Sequence, residues 1–421
     1  MFQWATYQLK AGALQFVTYI VIVIALLLSM LLLYTHLNVK FMAQGKAQIE
    51  AIRLAENSII RCLHEDFDGN DSLVLTSGEN TFVSIKTTPW GIFDLVIAKS
   101  RIRDKSFEKS ALIGGKTPLD IDLALCIQDH AQALQVAGNT SINGNAYVGR
   151  YGIKPGQIKG RYYTNDKLVY GEIIPTLGFP ELKPEKENHL NNLQDYYSKE
   201  NQNPVFFDLS QTSQLSQSFF KPAKYFYASE PVFLFSKQLS GHIIIQSGQH
   251  IYVDASNQLK DVVLIAPEIT IGPDFKGQIQ AVATQTLSVG TGVDLDYPSA
   301  LVITPKRHSE NKLPQLHIAQ DCKIKGSIAY LKGDLSLPGQ NAHSHVFVGE
   351  STKVYGQIYS SYNLELKGTV YGHVLANQFL TEHEGNIYIN HLLDTRIIAQ
   401  PVSAEFGGLL FNQNQVVSWM Y

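Results

Sequence analysis

Cysteine, methionine and any excess of charge are scarce in this 421-residue chain. The three cysteines, Cys62, Cys126 and Cys322, lie far apart and form no CxxC pair. That excludes a disulfide framework and a cysteine-based zinc site, and buried free thiols are expected. With 34 basic and 37 acidic residues, a net charge of -3 and a pI near 6.5, the chain lacks the basic footprint of a nucleic-acid-binding protein. Nucleic acid is therefore not an expected partner. No Walker loop, GxSxG or HExxH is present, so no catalytic residue, cofactor or metal ligand is assigned and no enzymatic activity is expected. Only four methionines stand beside 31 glycines, 21 tyrosines and 20 phenylalanines, a balance that favours strands and turns over helices. The expected fold is mainly β.

Charge is also missing locally. No Asp, Glu, Lys or Arg occurs from Ala11 to Val39, and Phe16 to Tyr34 is nearly unbroken apolar sequence. About 20 such residues cross ~30 Å of hydrocarbon as a helix, so this stretch reads as a single transmembrane helix. A cleaved signal peptide would have a shorter apolar core ending in small residues. Here the core runs through Leu31, Leu32, Leu33 and Tyr34 into more helical sequence, so an uncleaved anchor is expected. From Thr35 to Leu63 there is no proline and only Gly45, and Leu37, Phe41, Ile49, Ile52, Ile59 and Leu63 recur at helical spacing. Anchor and amphipathic continuation would make about 50 residues and a rod of roughly 75 Å. The turn-rich run Glu65 to Asp71 is expected to end the helix; its acidic residues lack the pattern of a calcium loop.

Leu73 to Gly115 alternates apolar and polar residues in short runs broken near Pro89-Trp90-Gly91, which predicts a small antiparallel sheet packed on the helix. A long N-terminal helix followed by such a sheet resembles a type IV pilin or pseudopilin, and Ala51 to Ile59, AIRLAENSI, is similar to minor pilins of the PilX kind. The resemblance implies a membrane-anchored stalk with protein partners in a bacterial envelope assembly.

From Ala131 a repeat takes over, an apolar residue, any residue, Gly, any residue, apolar. It appears at Ile142 to Ala146, Ile158 to Tyr162, Val169 to Ile173 and Phe275 to Ile279, and returns at Ile324 to Ile328, Val354 to Ile358 and Leu366 to Val374. Short strands with alternate side chains in a shared core and glycines at the corners suit a right-handed parallel β-helix. Gly144, Gly277, Gly356 and Gly368 are the expected corner residues. A β-sandwich with glycine turns is the competing reading. The run Lys353 to Phe379 resembles bactofilins, the polymer-forming β-helical proteins of bacteria, which implies a β-helix and self-association.

The expected organisation is an anchor and stalk at 1–64, a small antiparallel sheet at 65–130, first β-helix rungs at 131–174, an insertion at 175–240, the main β-helix at 241–391 and a C-terminal cap at 392–421. The insertion contains the helix-like PEKENHLNNLQDYYSKEN, and the cap holds a hairpin turn at Asn412 to Asn414. Three groups of residues could carry chemistry: His343 with His345, Asp294 with Asp296, and the tyrosines 147, 151, 162, 163 and 170. Two histidines lack a third metal ligand, two carboxylates suit a carbohydrate-active face only if adjacent rungs add more, and the tyrosines would stack on sugars only if they shared a face. The expected protein is therefore a structural one, held in the bacterial inner membrane with its body on the periplasmic or outer side, acting through assembly or adhesion. The alternatives are a membrane-bound carbohydrate-binding or carbohydrate-active β-helix protein, and a cytoplasmic, membrane-tethered bactofilin-like scaffold.

Overall fold

The computed structural model describes residues 11–63, 72–76, 81–116, 122–176, 178–193, 195, 205–306, 313–333, 343–399, 406–410 and 413–420. The acidic run Glu65 to Asp71 and Asn412, the first residue of the turn expected at Asn412 to Asn414, lie outside these residues; Gln413 is a bend and Asn414 opens the last strand. The protein is mainly β, with one long N-terminal apolar helix and a small antiparallel sheet.

Helix α1, Ala11–Cys62, is continuous over 52 residues and about 78 Å. Its first half packs against none of the other described elements: Phe16, Tyr19, Leu26, Met30 and Leu32 all stand exposed, and the helix is long and apolar enough to cross a membrane. The second half buries a seam of small residues, Ala47, Ala51, Ala55 and Ser58, widening to Ile59 and Cys62. This differs from the expected seam, since Leu37, Phe41 and Ile49 are exposed. The reason is close approach: the Ser100 hydroxyl donates to the Ala51 carbonyl at 2.7 Å, which a large side chain at the contact would prevent.

The partner of α1 is an antiparallel meander of β1 (Ser72–Thr76), β2 (Thr81–Trp90), β3 (Phe93–Ile102) and β4 (Lys105–Lys116). Alternation gives it two buried faces. Val83, Ile85, Val96, Ala98 and Ala111 pack under the helix, while Phe93, Leu95 and Leu112 point the other way, into the rest of the protein. Its far edge is completed by the strand Asn414–Met420, which pairs antiparallel with β4 and sets Val416 opposite Ile113 and Met420 opposite Ser110. The C-terminal segment is thus an edge strand of the N-terminal sheet and not the expected cap at 392–421.

From Leu123 to Ile398 the long-range ladders are parallel, in three stacks, and successive strands of the sequence fall in different stacks. This pairing excludes an antiparallel sandwich. Strands such as Gln258–Ile271 and Lys276–Val289 bend through all three stacks. In the second stack the column Leu264, Ala281, Leu301, Ile328, Ile358 and Val374 points inward, residue over residue, and every member is fully buried. The outward column of the same strands, including Val263, Ile265, Val282 and Val302, is buried as well, beneath Phe93 and Leu95 of the sheet and Leu409 and Leu410 of the C-terminal segment. Strands covered on both faces lose polar alternation, which explains the apolar runs VVLIA and ALVI.

The order of the layers differs from the order of the sequence. Val374–Ala376 pairs with Leu125–Ile127, and Arg396–Ile398 lies between Thr369–Tyr371 and Ser141–Asn143. The strands of 123–175 therefore sit beyond residue 398 and not ahead of residue 241 as expected. No free end remains there for residues 392–421 to cover. The chain then returns along the flank, a descent of roughly 50 Å at the spacing of stacked strands, and begins the second ascent at Val205–Phe206. Helix α2, Pro184–Asn191, lies on this return path with Leu190 and Leu193 buried against the second stack. The expected insertion at 175–240 is accordingly shorter, because Val205–Phe206, Gln214–Gln217, Lys224–Ala228 and Val232–Leu234 all pair into the stacks.

All three cysteines are buried and none is in a disulfide. Of the four expected corner glycines, Gly144 and Gly356 have positive φ, 116° and 146°; Gly277 and Gly368 do not, and there the constraint is crowding by the Leu259 and Thr352 carbonyls. Gly326, Gly356 and Gly372 stack directly, so a Cβ on Gly372 would collide with the Gly356 carbonyl and one on Gly356 with that of Gly326. Replacing Gly356 or Gly372 by Val is expected to destabilise by more than ~1 kcal/mol, seen as a lower midpoint in thermal or urea unfolding. Unchanged unfolding of both variants would contradict the crowded corner.

Candidate interaction surfaces

The residues singled out in the sequence do not converge. His343 and His345 have ring centroids 4.6 Å apart, but His345 is buried, stacked on Tyr362 at 4.9 Å and edge-on to Tyr330 at 5.5 Å. Burial, reinforced by His343, pushes its pKa down to about 4. No group of three metal-capable side chains exists among the described residues. Here His345 works as a core aromatic.

Asp294 and Asp296 share the outer face of the first stack, yet they meet lysines and not further carboxylates. Asp294 lies between Lys276 and Lys323 of the adjoining strands, and Asp296 accepts from Lys325 Nζ at 2.6 Å. The further carboxylate of the described strands here, Asp261 at the corner after Lys260, is taken up by Gln278 Nε2 at 2.6 Å. The tyrosines scatter. Tyr147 is in the second stack and half-buried, Tyr170 bridges to Asn143 of the first stack, Tyr162 is on a short hairpin, and Tyr163 donates its hydroxyl to the Lys167 carbonyl.

Contacts that the sequence did not single out join the three layers. Gln280 stands between Ile279 and Ala281 in an outward column that also carries Ala300, Ser327, Gln357 and His373; its Oε1 accepts from the Ile92 amide at 2.9 Å and its Nε2 donates to the Trp90 carbonyl at 3.3 Å, clamping the β2–β3 turn. Gln357 Oε1 accepts from the Leu409 amide at 2.9 Å, and the Tyr297 hydroxyl accepts from the Gly407 amide at 2.9 Å, fixing the C-terminal segment beside it. Two histidines sit in the same joint. His242 lies between Trp90 (centroids 4.6 Å) and Phe219 (5.1 Å), and His373 meets Phe406 edge-on at 6.3 Å. The available signal was a lone polar residue within an apolar run, as in QAVA and GQIY, but nothing in the sequence names its partner.

Two surfaces stay open. At the start of the second ascent, Val205–Phe206 and Gln214–Gln217 have strand partners on one side only among the described residues, and Phe206, Tyr227, Phe233 and Phe235 are exposed around them. The outer face of the first stack is also uncovered by the described residues. It is polar, with Gln214, Gln238 and Gln258 in one column and Tyr355 and Tyr371 stacked in parallel at 4.8 Å further along.

No family model and no curated protein matches this chain. Among solved structures it is similar to the competence-associated pilin ComZ from Thermus thermophilus, at 9% identity over 89% of this chain and 96% of that chain, with a TM-score of 0.24. At that identity and TM-score the likeness establishes no shared function.

Burial holds the pKa values of His242, His345 and His373 down at about 4, against ~6.5 in an unfolded chain. The unfolded state therefore binds protons first, and stability should be full above about pH 6.5 and fall as the pH is lowered toward 4. Unfolding midpoints measured across that window should decline, and His373→Phe should flatten part of the slope. A pH-independent midpoint between 7 and 4 would refute this.

Proposed function

We propose that this chain is a single-pass, membrane-anchored structural protein of a bacterial cell envelope. The carrying observation is the division of labour along α1, whose apolar first half touches none of the other described elements while its second half is packed onto β3 and β4. A helix fixed at one end and bare and apolar at the other is what a bilayer-spanning stalk requires, because hydrocarbon satisfies the exposed face and the helix satisfies its own backbone. In this reading residues 12–34 span the membrane, the sheet is a pilin-like head seated on the stalk, and the coiled stacks are a parallel β-helix that serves as a rigid body. The polar residue types of the exposed first-stack face and the open strand end among the described residues favour a role in assembly. The partner surface is the open strand end with Phe206, Phe233 and Phe235, where a strand of another protein or of a second copy would extend the stacks.

The body is assigned to the outer side of the inner membrane. A reporter that is active only after export, fused behind Tyr421, should be active, and Ile24→Arg with Leu28→Arg should shift the chain out of the membrane pellet. An inactive exported reporter paired with an active cytoplasmic one would overturn this placement in favour of a membrane-tethered cytoplasmic scaffold.

A further inference from the structure

We propose that the outer face of the first stack binds a linear acidic polysaccharide. This role is separate from the assembly reading and does not depend on it.

No described residue covers this face, whereas the second stack is roofed by the sheet, α2 and the C-terminal segment. Its outward residues are aligned strand over strand. One column runs Lys276, Asp294, Lys323, Lys353, Thr369 and Arg396, and a neighbouring column carries Lys260 and Lys325. Six basic side chains thus meet three carboxylates, of which Asp296 is held by Lys325 and Asp261 by Gln278, in a molecule whose net charge is -3. Adjacent strands lie about 4.8 Å apart, so the cations of the first column recur after one strand (Lys323 to Lys353) or two (Lys276 to Lys323 and Lys353 to Arg396), spacings comparable to one or two sugar residues.

Hydrogen-bonding groups follow the same step. At one end Gln214, Gln238 and Gln258, with Ser216 and Ser240, line a shallow groove of about 330 Å³ that also takes in Lys260 and Lys276. At the other end Asn139, Ser141, Asn143, Asn165 and Arg396 line a depression of about 370 Å³. Primary amides both donate and accept, which suits hydroxyl groups, and the parallel Tyr355 and Tyr371 bring two phenols onto the same face between the two grooves.

The border of the face decides which polyanion fits. The turns leading into these strands carry Asp254, Asp274, Asp321 and Glu350, of which Asp274, Asp321 and Glu350 are exposed. A narrow file of cations flanked by carboxylates accepts a chain with one charge per residue and many hydroxyls. It opposes a nucleic-acid duplex, whose phosphates crowd both sides of the polymer.

The test uses the full-length chain in zwitterionic micelles with three polymers of matched length: polygalacturonate, neutral dextran and double-stranded DNA. Polygalacturonate should bind, more weakly as salt is raised, while dextran and DNA bind roughly tenfold more weakly or worse. Lys276→Glu with Lys323→Glu and Lys353→Glu should weaken polygalacturonate binding by roughly tenfold or more, and the corresponding Lys→Gln triple variant should weaken it by less. Gln214→Ala with Gln238→Ala should weaken it without changing the salt dependence. Unfolding midpoints, read in parallel, show that the variants are folded. Absence of polygalacturonate binding, equal binding of dextran or DNA, or unaltered binding by a charge-reversed variant that melts like the parent would each overturn the proposal.

Discussion

The backbone hydrogen bonds of a parallel strand stack run along the stack, so each strand relies on the strands next to it for its amides and carbonyls. Inward apolar columns such as Leu264 to Val374 add burial, but they line up only because that pairing keeps them in register. The glycines at the corners follow from the same constraint. Where two successive turns bring carbonyls over one another, only a residue without a Cβ leaves room, hence Gly326, Gly356 and Gly372 in one file. The outer faces are then free to differ: one is apolar and roofed, another polar and open.

The roof is the second organising contact, and it is made of unlike parts. A turn of the antiparallel sheet, a short helix and a C-terminal strand with its lead-in all lie on the same outer face of the second stack. Apolar burial attracts them without specifying position. The directional bonds do that: Gln280 to the Trp90–Ile92 backbone, and Gln357 and Tyr297 to the 407–409 backbone. Since Gln280 and Gln357 belong to the same outward column, the sheet and the C-terminal segment are aligned to one ruler.

Local features were legible in the sequence because they depend on neighbours in the chain. The uncharged stretch from Ala11 to Val39, the alternation of β2 and the spaced glycines each reflect one element's own environment. Packing between elements was less legible. The helix seam was expected at Ile49 and Phe41 from size and spacing, but the backbone approach at Ser100 selects Ala51 and Ala55 instead. The layer order could not be read at all, since a strand such as Leu123–Ile127 looks the same whichever neighbour it pairs with. The same holds for the surfaces: Lys276, Asp294 and Lys323 are separated in sequence and adjacent only through register.

The pairing of Asn414–Met420 with β4 and of Leu125–Ile127 with Val374–Ala376 has a consequence in time. A chain leaves the ribosome from its N-terminus, and here the first sheet and the first parallel strands made are those whose neighbours are made last. Helix α1 can enter a bilayer as soon as it emerges, yet the sheet on it keeps an unpaired edge along β4, and the strands of 123–175 keep an open side, until nearly the whole chain exists. Both edges thus stay unpaired until the strands Thr369–His383 and Asn414–Met420 have been made, and a chain stopped before them would leave open strand edges, which tend to pair with other chains.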